Sequence, residues 1–548
     1  RYSYLSCLGF ALLAGGGLVL LWRRWLFFTE TAQPLAAAVL VAIVASLCYL
    51  TSRQVEIWHD TEGLWRAVLA VDPNSAIANN DLGNLLRYQG KLEEAVAHYR
   101  RVIKINPTYP AVYYNLGNVL SSQGKLDESI ESYRTAVRLL PTFTRAHYSL
   151  ALGLVVQGKQ DEAFEHFEQA VRLEPRFAEA HNNLGLILAS RGGWDEALRH
   201  YQQALEIKPD FALAHVNLGE ALAQRGKTGE AIGHFRRALE IEPQMAAARE
   251  SLALALVRDG RVDEAVKEYE RAIQEKPGFA GAYYGLANAY FQRGRYRDAA
   301  EQYRRALRID PAAAAAHYGL ANALSKAGDA EAAIEQYRLA IRYDGKNMEA
   351  YSNLGNALET RGRLDEAIGQ YRRVVAARPK DAPAHYNLAN ALLRKEDFKG
   401  AILEYQRALQ INPKYVEART NLGSALDGEG KKDEAVAEYR KALEIDPNYA
   451  AARFNLGLLL GERGDIAAAT EQFRRVVEIN PQDPEARYHL GDLWMAAGKP
   501  DEAAAEYMRA LRIEPNFAPA REKLRQLLAR REPQSGQKQS PGDGAGDN

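Results

Sequence analysis

The stretch Met348–Asp381, MEAYSNLGNALETRGRLDEAIGQYRRVVAARPKD, decides the fold, because its pattern returns every 34 residues through most of the chain. Counting Met348 as place one puts Leu354 at place seven, Gly355 at eight, Ala367 at twenty, Tyr371 at twenty-four and Pro379 at thirty-two. A period of this length marks stacked two-helix units, each unable to bury its apolar face alone.

Working outward, prolines stand at 73, 107, 141, 175, 209, 243, 277, 311, 379, 413, 447, 481 and 515, with Gly345 the one absentee from the series. Thirteen full copies run over 76–517 without insertion or deletion. Leu fills place seven in all of them; place eight is Gly or Ala, place twenty is Ala except for Ser129, and place twenty-four is Tyr or Phe. A mid-helix glycine costs about 0.5–1 kcal/mol against alanine, so Gly83, Gly117 or Gly185 predicts close approach of the second helix, with the aromatic filling the remaining gap. Turns such as Gly90-Lys91 separate the two helices, and the proline ends the second. At Gly345 a turn with φ > 0 is expected, since proline cannot adopt one.

These places match the tetratricopeptide repeat family over residues 76–517. The resemblance implies an all-α, right-handed superhelix (an α-solenoid) whose first helices line a concave groove, and a scaffold that binds proteins or extended peptides there. Residues 518–530 read as a capping helix with a charged outer face, and the polar, Gly- and Pro-containing segment 531–548 as a disordered tail.

Upstream, two uncharged runs stand out. Residues 5–22 and 34–50 would span roughly 27 and 25 Å as helices, so 1–57 is expected to form a multi-pass transmembrane hairpin contacting the lipid bilayer; a signal peptide for the first run, or buried helices of a soluble domain, are the alternatives. Arg23 and Arg24 between the runs place that loop in the cytoplasm by the positive-inside rule and the repeats on the extracytoplasmic side. Residues 58–75 fit the repeat register as a half-repeat junction, with Trp65 in the aromatic slot.

Arg1, Tyr4, Leu5, Gly9 and Phe10, followed by Arg53, Trp58, Asp60, Leu64 and Trp65 ahead of the repeats, resemble the end of the membrane domain in the transmembrane and tetratricopeptide repeat-containing family, which is related to membrane O-mannosyltransferases. Ser6 stands where that family usually has proline. The resemblance, with Arg rather than Met at position 1, leads to the expectation of a C-terminal part of a longer glycosyltransferase-like protein. Its role would be to recruit acceptors, with the catalytic region absent.

Seventy Lys+Arg balance seventy Asp+Glu, so there is no global field to draw nucleic acid. Cys7 and Cys48 are the only cysteines and both lie in the apolar runs, which leaves the repeats no Cys-based metal site or disulfide framework. His147, His181, His215, His317 and His385 recur at place four. Helices packed 8–10 Å apart do not converge such a stripe on one ion with bonds near 2 Å. Gly226-Lys227-Thr228 lacks the phosphate-loop glycine, since Ala221 stands there. No catalytic, metal or cofactor site is assigned.

One polar stripe asks for a reason. Asn fills place six at Asn115, Asn183, Asn217, Asn353, Asn387, Asn421 and Asn455, and place nine at Asn84, Asn118, Asn288, Asn322, Asn356 and Asn390. Asn is a poor helix former, and these places share a face turned from the place-seven Leu. A carboxamide suits the backbone of an extended peptide. The stripe resembles the asparagine ladder of O-linked N-acetylglucosamine transferase, and bridging of neighbouring repeats or copying of one ancestral unit is the competing reading. Tyr114, Tyr148, Tyr284, Tyr318 and Tyr386 at place five would add aromatic contacts.

Overall fold

A computed structural model describes residues 60–531 and, within the second apolar run, residues 38, 39, 41–43, 45, 46 and 49, which are helical and exposed. The expected first span, the rest of the second, the stretch before Asp60 and the tail beyond Arg531 lie outside the described residues. No helix among the described residues is long and apolar enough to cross a membrane.

Every described element is a helix. The first, Thr61–Val71, is capped by the Asp60 side chain, which accepts from the Glu62 and Gly63 N–H groups. Trp65 and Leu69 on it pack against the core formed by Leu82, Leu86, Tyr99 and Leu116. From Ala76 to Ile513 there follow thirteen pairs, a first helix such as Met348–Thr360 and a second such as Leu364–Ala377. Ala518–Arg531 closes the series, seating Ala520 and Leu527 beside Tyr507.

The chain divides into two units, Arg1–Pro243 and Gln244–Asn548. Within each, the two helices of a pair form the tightest contact, and successive first helices also touch. The face on which first helices approach one another is called the inner face below.

The place-eight glycine is explained by its neighbour. A Cβ on Gly83 would lie 2.7 Å from the Tyr99 ring, and one on Gly185 would lie 2.6 Å from that of Tyr201. The aromatic ring therefore rests directly on the first helix, and the place-twenty alanines Ala95, Ala197 and Ala367 are wholly buried beside it.

Between the helices the chain turns through a left-handed residue, for example Gly90 at φ 77°. In one repeat that residue is Glu396, at φ 62° the sole non-glycine with positive φ among the described residues. The junction at Gly345 corrects the expectation made for it. Gly345 has no positive φ. Asp344 caps the preceding helix as its counterparts do, accepts from the Lys346 N–H at 3.0 Å, and gives its carbonyl to Asn347 N–H at 3.3 Å. Glycine permits φ > 0 without requiring it, and the aspartate holds the common turn.

Candidate functional site

The stripe residues form a hydrogen-bonded ladder on the inner face, with different jobs at different places. At place nine the asparagines serve their own repeat. Tyr99 donates its hydroxyl to Asn84 Oδ1 at 2.8 Å and Tyr133 to Asn118 at 2.9 Å. Tyr303 donates to Asn288, Tyr337 to Asn322 and Tyr371 to Asn356 (both 2.6 Å), and Tyr405 to Asn390 at 2.5 Å. Where place twenty-four is Phe167, Phe235 or Phe473, place nine is Leu152, Glu220 or Leu458 and never Asn. A carboxamide at place nine is thus found only opposite a phenol, although Tyr201 and Tyr269 face Leu186 and Leu254 there. Burial drives these phenols up, Tyr99 to about 12, so they remain donors at neutral pH.

Place six reaches across to the preceding repeat. In the first unit Asn115 donates to Asn80 at 3.1 Å, Asn183 to the Tyr148 hydroxyl at 3.0 Å, and the buried Asn217 to Asn182 at 2.7 Å. In the second unit Asn353 Nδ2 donates to the Tyr318 hydroxyl and to Asn322 Oδ1, both at 3.1 Å. Asn421 repeats this with Tyr386 at 3.2 Å and Asn390 at 3.0 Å, and Asn455 donates to Ser424 at 3.3 Å. Asn387, half-buried, has no protein partner among the described residues. Each bond links residues 35 or 31 apart in the chain.

The place-five tyrosines pack as well as bond. Tyr114 lies 5.1 Å from Phe143, Tyr148 4.8 Å from Phe177, and Tyr386 4.9 Å from Tyr415, between ring centroids. Tyr284 and Tyr318 lie beside Tyr303 and Tyr337 at 5.8 and 6.1 Å. Four ladder members fall outside a search for Asn at places six and nine: Asn80 and Asn182 at place five, and Ser424 and Asp492 at place nine, where Asp492 accepts from Tyr507 at 2.6 Å. Their register position was the available signal.

The histidines at place four do something else. His147 Nε2 lies 3.0 Å from the Pro141 carbonyl and His181 Nε2 3.1 Å from that of Pro175, tying the start of each first helix to the proline six residues earlier. Their Nδ1 atoms meet Nδ1 of His166 and His200 at 3.0 Å, and His215 does the same with His234 at 3.0 Å. With Nε2–H given to the carbonyl, the place-four Nδ1 accepts and the partner donates. Burial lowers all six imidazoles. In the second unit the same tie is made by His317 to Gln336, His385 to Glu404, Arg419 to Glu438 and Arg487 to Glu506.

The inner face also differs in polarity. In the first unit Leu152 and Leu186 at place nine, Val156 at thirteen and Leu213 at two are exposed, while the second, apart from the exposed Leu254, carries the run of place-six and place-nine asparagines.

Residues 318–382, 352–416, 386–450 and 454–519 match a family described as tetratricopeptide repeat, and 287–328 a second described as TPR repeat. Together with thirteen helix pairs in one 34-residue register, these matches are decisive. The chain is a tetratricopeptide repeat protein. Residues 63–285 of this repeat protein match the C-terminal domain of cilia and flagella-associated protein 70. It is 30% identical over 95 residues to protein O-mannosyl-transferase Tmtc2 of Drosophila melanogaster, a stretch that is 17% of this chain and 10% of that relative. The repeat protein therefore spans only a tenth of that relative's length. Among solved structures it is similar to YrrB, described as a TPR protein with an unusual peptide-binding site (26% identity, 34% of this chain and 95% of that one, TM-score 0.31). It is also similar to Naa15/Naa10 bound to HypK-THB (16%, 88% and 96%, TM-score 0.38) and to MamA (30%, 30% and 97%, TM-score 0.28).

Proposed function

We propose that the protein is a scaffold whose inner face binds extended peptide segments of partner proteins, chiefly through the second unit. The observation that carries this reading is the orientation of Asn353, Asn421 and Asn455. Their N–H groups are held by the preceding repeat, while their Oδ1 atoms have no protein partner and are not among the buried unpaired polar atoms. With Asn387, they make a row of acceptors in four consecutive repeats. Such a row suits the N–H groups of an extended backbone whatever the side chains.

Asn387 gives the cleanest test, because its side chain has no protein partner to lose. Peptides selected on the full chain from a random displayed library should bind Asn387→Ala about three- to tenfold more weakly, one hydrogen bond's worth, with unchanged Tm. Undiminished binding by this variant and by the combined Asn353, Asn387, Asn421 and Asn455→Ala variant would defeat the proposal.

A second reading rests on the 30% identity over 95 residues to a protein named as an O-mannosyltransferase. In it, the repeats present acceptor proteins to a membrane glycosyltransferase, and the two apolar runs anchor the array with its repeats on the extracytoplasmic side. Release of the chain from membranes by carbonate washing alone would remove this reading and leave the first intact.

A further inference from the structure

Two buried phenols at place twenty-four, Tyr201 and Tyr269, face a leucine at place nine, and a cavity adjoins Tyr269. The phenol of Tyr269, at place twenty-four, lacks the acceptor that holds most of its counterparts, since place nine of its repeat is Leu254. Its side chain is 2% exposed, and its hydroxyl has no protein partner among the described residues. Beneath it opens a cavity of about 570 Å³ on the inner face of the second unit, between the first helices Ala246–Arg258 and Ala280–Gln292. That volume is in the range of ligand sites.

The cavity is built rather than incidental. A Cβ on Gly285 would collide with the Tyr269 ring, and one on Gly281 with the Glu250 carboxylate, so the two glycines let both groups sit where they line it. Tyr284, Phe291 and the half-exposed Leu254 give apolar walls, and Glu250 contributes a carboxylate. Burial raises the Tyr269 phenol, Glu250 adds to the rise and Arg258 opposes it. In the cavity the phenol offers a donor and the Glu250 carboxylate an acceptor, the complement of a carboxamide's oxygen and N–H.

The geometry points to a pocket that takes the carboxamide side chain, Asn or Gln, of a bound peptide, standing in for the carboxamides the ladder lacks here. The ligand oxygen accepts from the Tyr269 hydroxyl, its N–H donates towards Glu250, and its methylenes lie on the aromatic walls. This inference rests on the reading of the inner face as a peptide site and adds a side-chain preference to it.

Two variants test it without foreign chemistry. Leu254→Asn restores the acceptor found in six other repeats, and Tyr269→Phe places the ring that Phe167 and Phe473 already supply elsewhere. With 3-fluorotyrosine at position 269 of the full chain, propionamide should shift the fluorine resonance saturably, while propionate and n-propylammonium should not. The shift should vanish in Leu254→Asn. Peptides selected on the full chain should share an Asn or Gln, and should bind Leu254→Asn and Tyr269→Phe about three- to tenfold more weakly. A resonance indifferent to propionamide, or moved as far by either ion, overturns the pocket. If no peptide is captured, the inner-face reading fails, and the fluorine titration still judges the cavity. If peptides bind both variants as well as the parent, the pocket fails alone.

Discussion

The two units build one joint from different materials. In both, a place-four side chain reaches the carbonyl of the proline six residues before it and meets a side chain nineteen residues after it. In the first unit three successive repeats do this with a neutral imidazole pair. In the second, Arg419 and Arg487 do it with Glu438 and Glu506 at 2.9 and 3.0 Å. The backbone asks only for a donor at one position and a partner at another. The repeat therefore fixes the geometry, while the residue pair decides how the joint responds to solution conditions.

Acid should give the largest effect, because it sums over many groups. Seven imidazoles are lowered by burial in the first unit, His98 included, against His489 alone in the second. A base with a depressed folded pKa takes up a proton on unfolding, so its contribution is complete above the ordinary imidazole value near 6.5 and is lost as pH falls below it. A proton on a place-four Nδ1 also sets two N–H groups face to face. Hydrogen exchange at pH 5 should show helices 144–241 losing protection relative to pH 7.5, while 416–513 keep theirs. Replacing His147 with Arg together with His166 with Glu should blunt the loss in that repeat, and equal loss in both units would break the comparison.

The layer common to both units should respond alike. Gly185→Leu and Gly355→Leu each push a side chain into the ring of the second helix, Tyr201 or Tyr371, and should cost about 3 kcal/mol of local stability each by overpacking. A clear difference in their urea midpoints would mean that the shared layer is not equivalent. A smaller change is confined to the second unit, where Glu396 occupies a left-handed turn. Glu396→Gly should stabilise by about 1 kcal/mol, read as a rise in the thermal midpoint. Smallest is Gly345→Pro, which gives that junction the proline used at the others. Gly345 N–H makes no backbone hydrogen bond and a Cβ there meets only the Ile341 carbonyl oxygen at 3.7 Å, so a gain of about 0.5 kcal/mol is expected from the stiffer unfolded chain.

The helix pairs were legible because one period fixed Leu, Gly, Ala, aromatic and proline together, and each had a packing reason that needed no partner beyond its own repeat. The face carrying the asparagines was legible too, from helical spacing alone. Their partners were not, since a bond between Asn353 and Tyr318 joins different repeats and depends on how the helices stack. Bridging accounts for the N–H side of Asn353, Asn421 and Asn455, and their open oxygens are what the proposed peptide site would use. The histidine tie was illegible for a different reason. Its partner at place twenty-three is His in three successive repeats and Gln or Glu in others, and which first-helix side chain it meets depends on how the two helices pack. At Gly345 sequence reasoning took what glycine allows for what the junction demands, and the Asp344 cap decided otherwise.

Ladder bonds between residues 35 and 31 apart make the array intolerant of one kind of genetic change and indifferent to another. A single codon gained or lost in a loop shifts every rung that spans it, stranding donors and acceptors. Excision or duplication of 34 codons leaves every offset as it was, and the cut edges meet in register. Within either unit, unequal crossing-over is therefore the length mutation the ladder can absorb, and the array can grow or shrink by whole rungs without relearning how to fold.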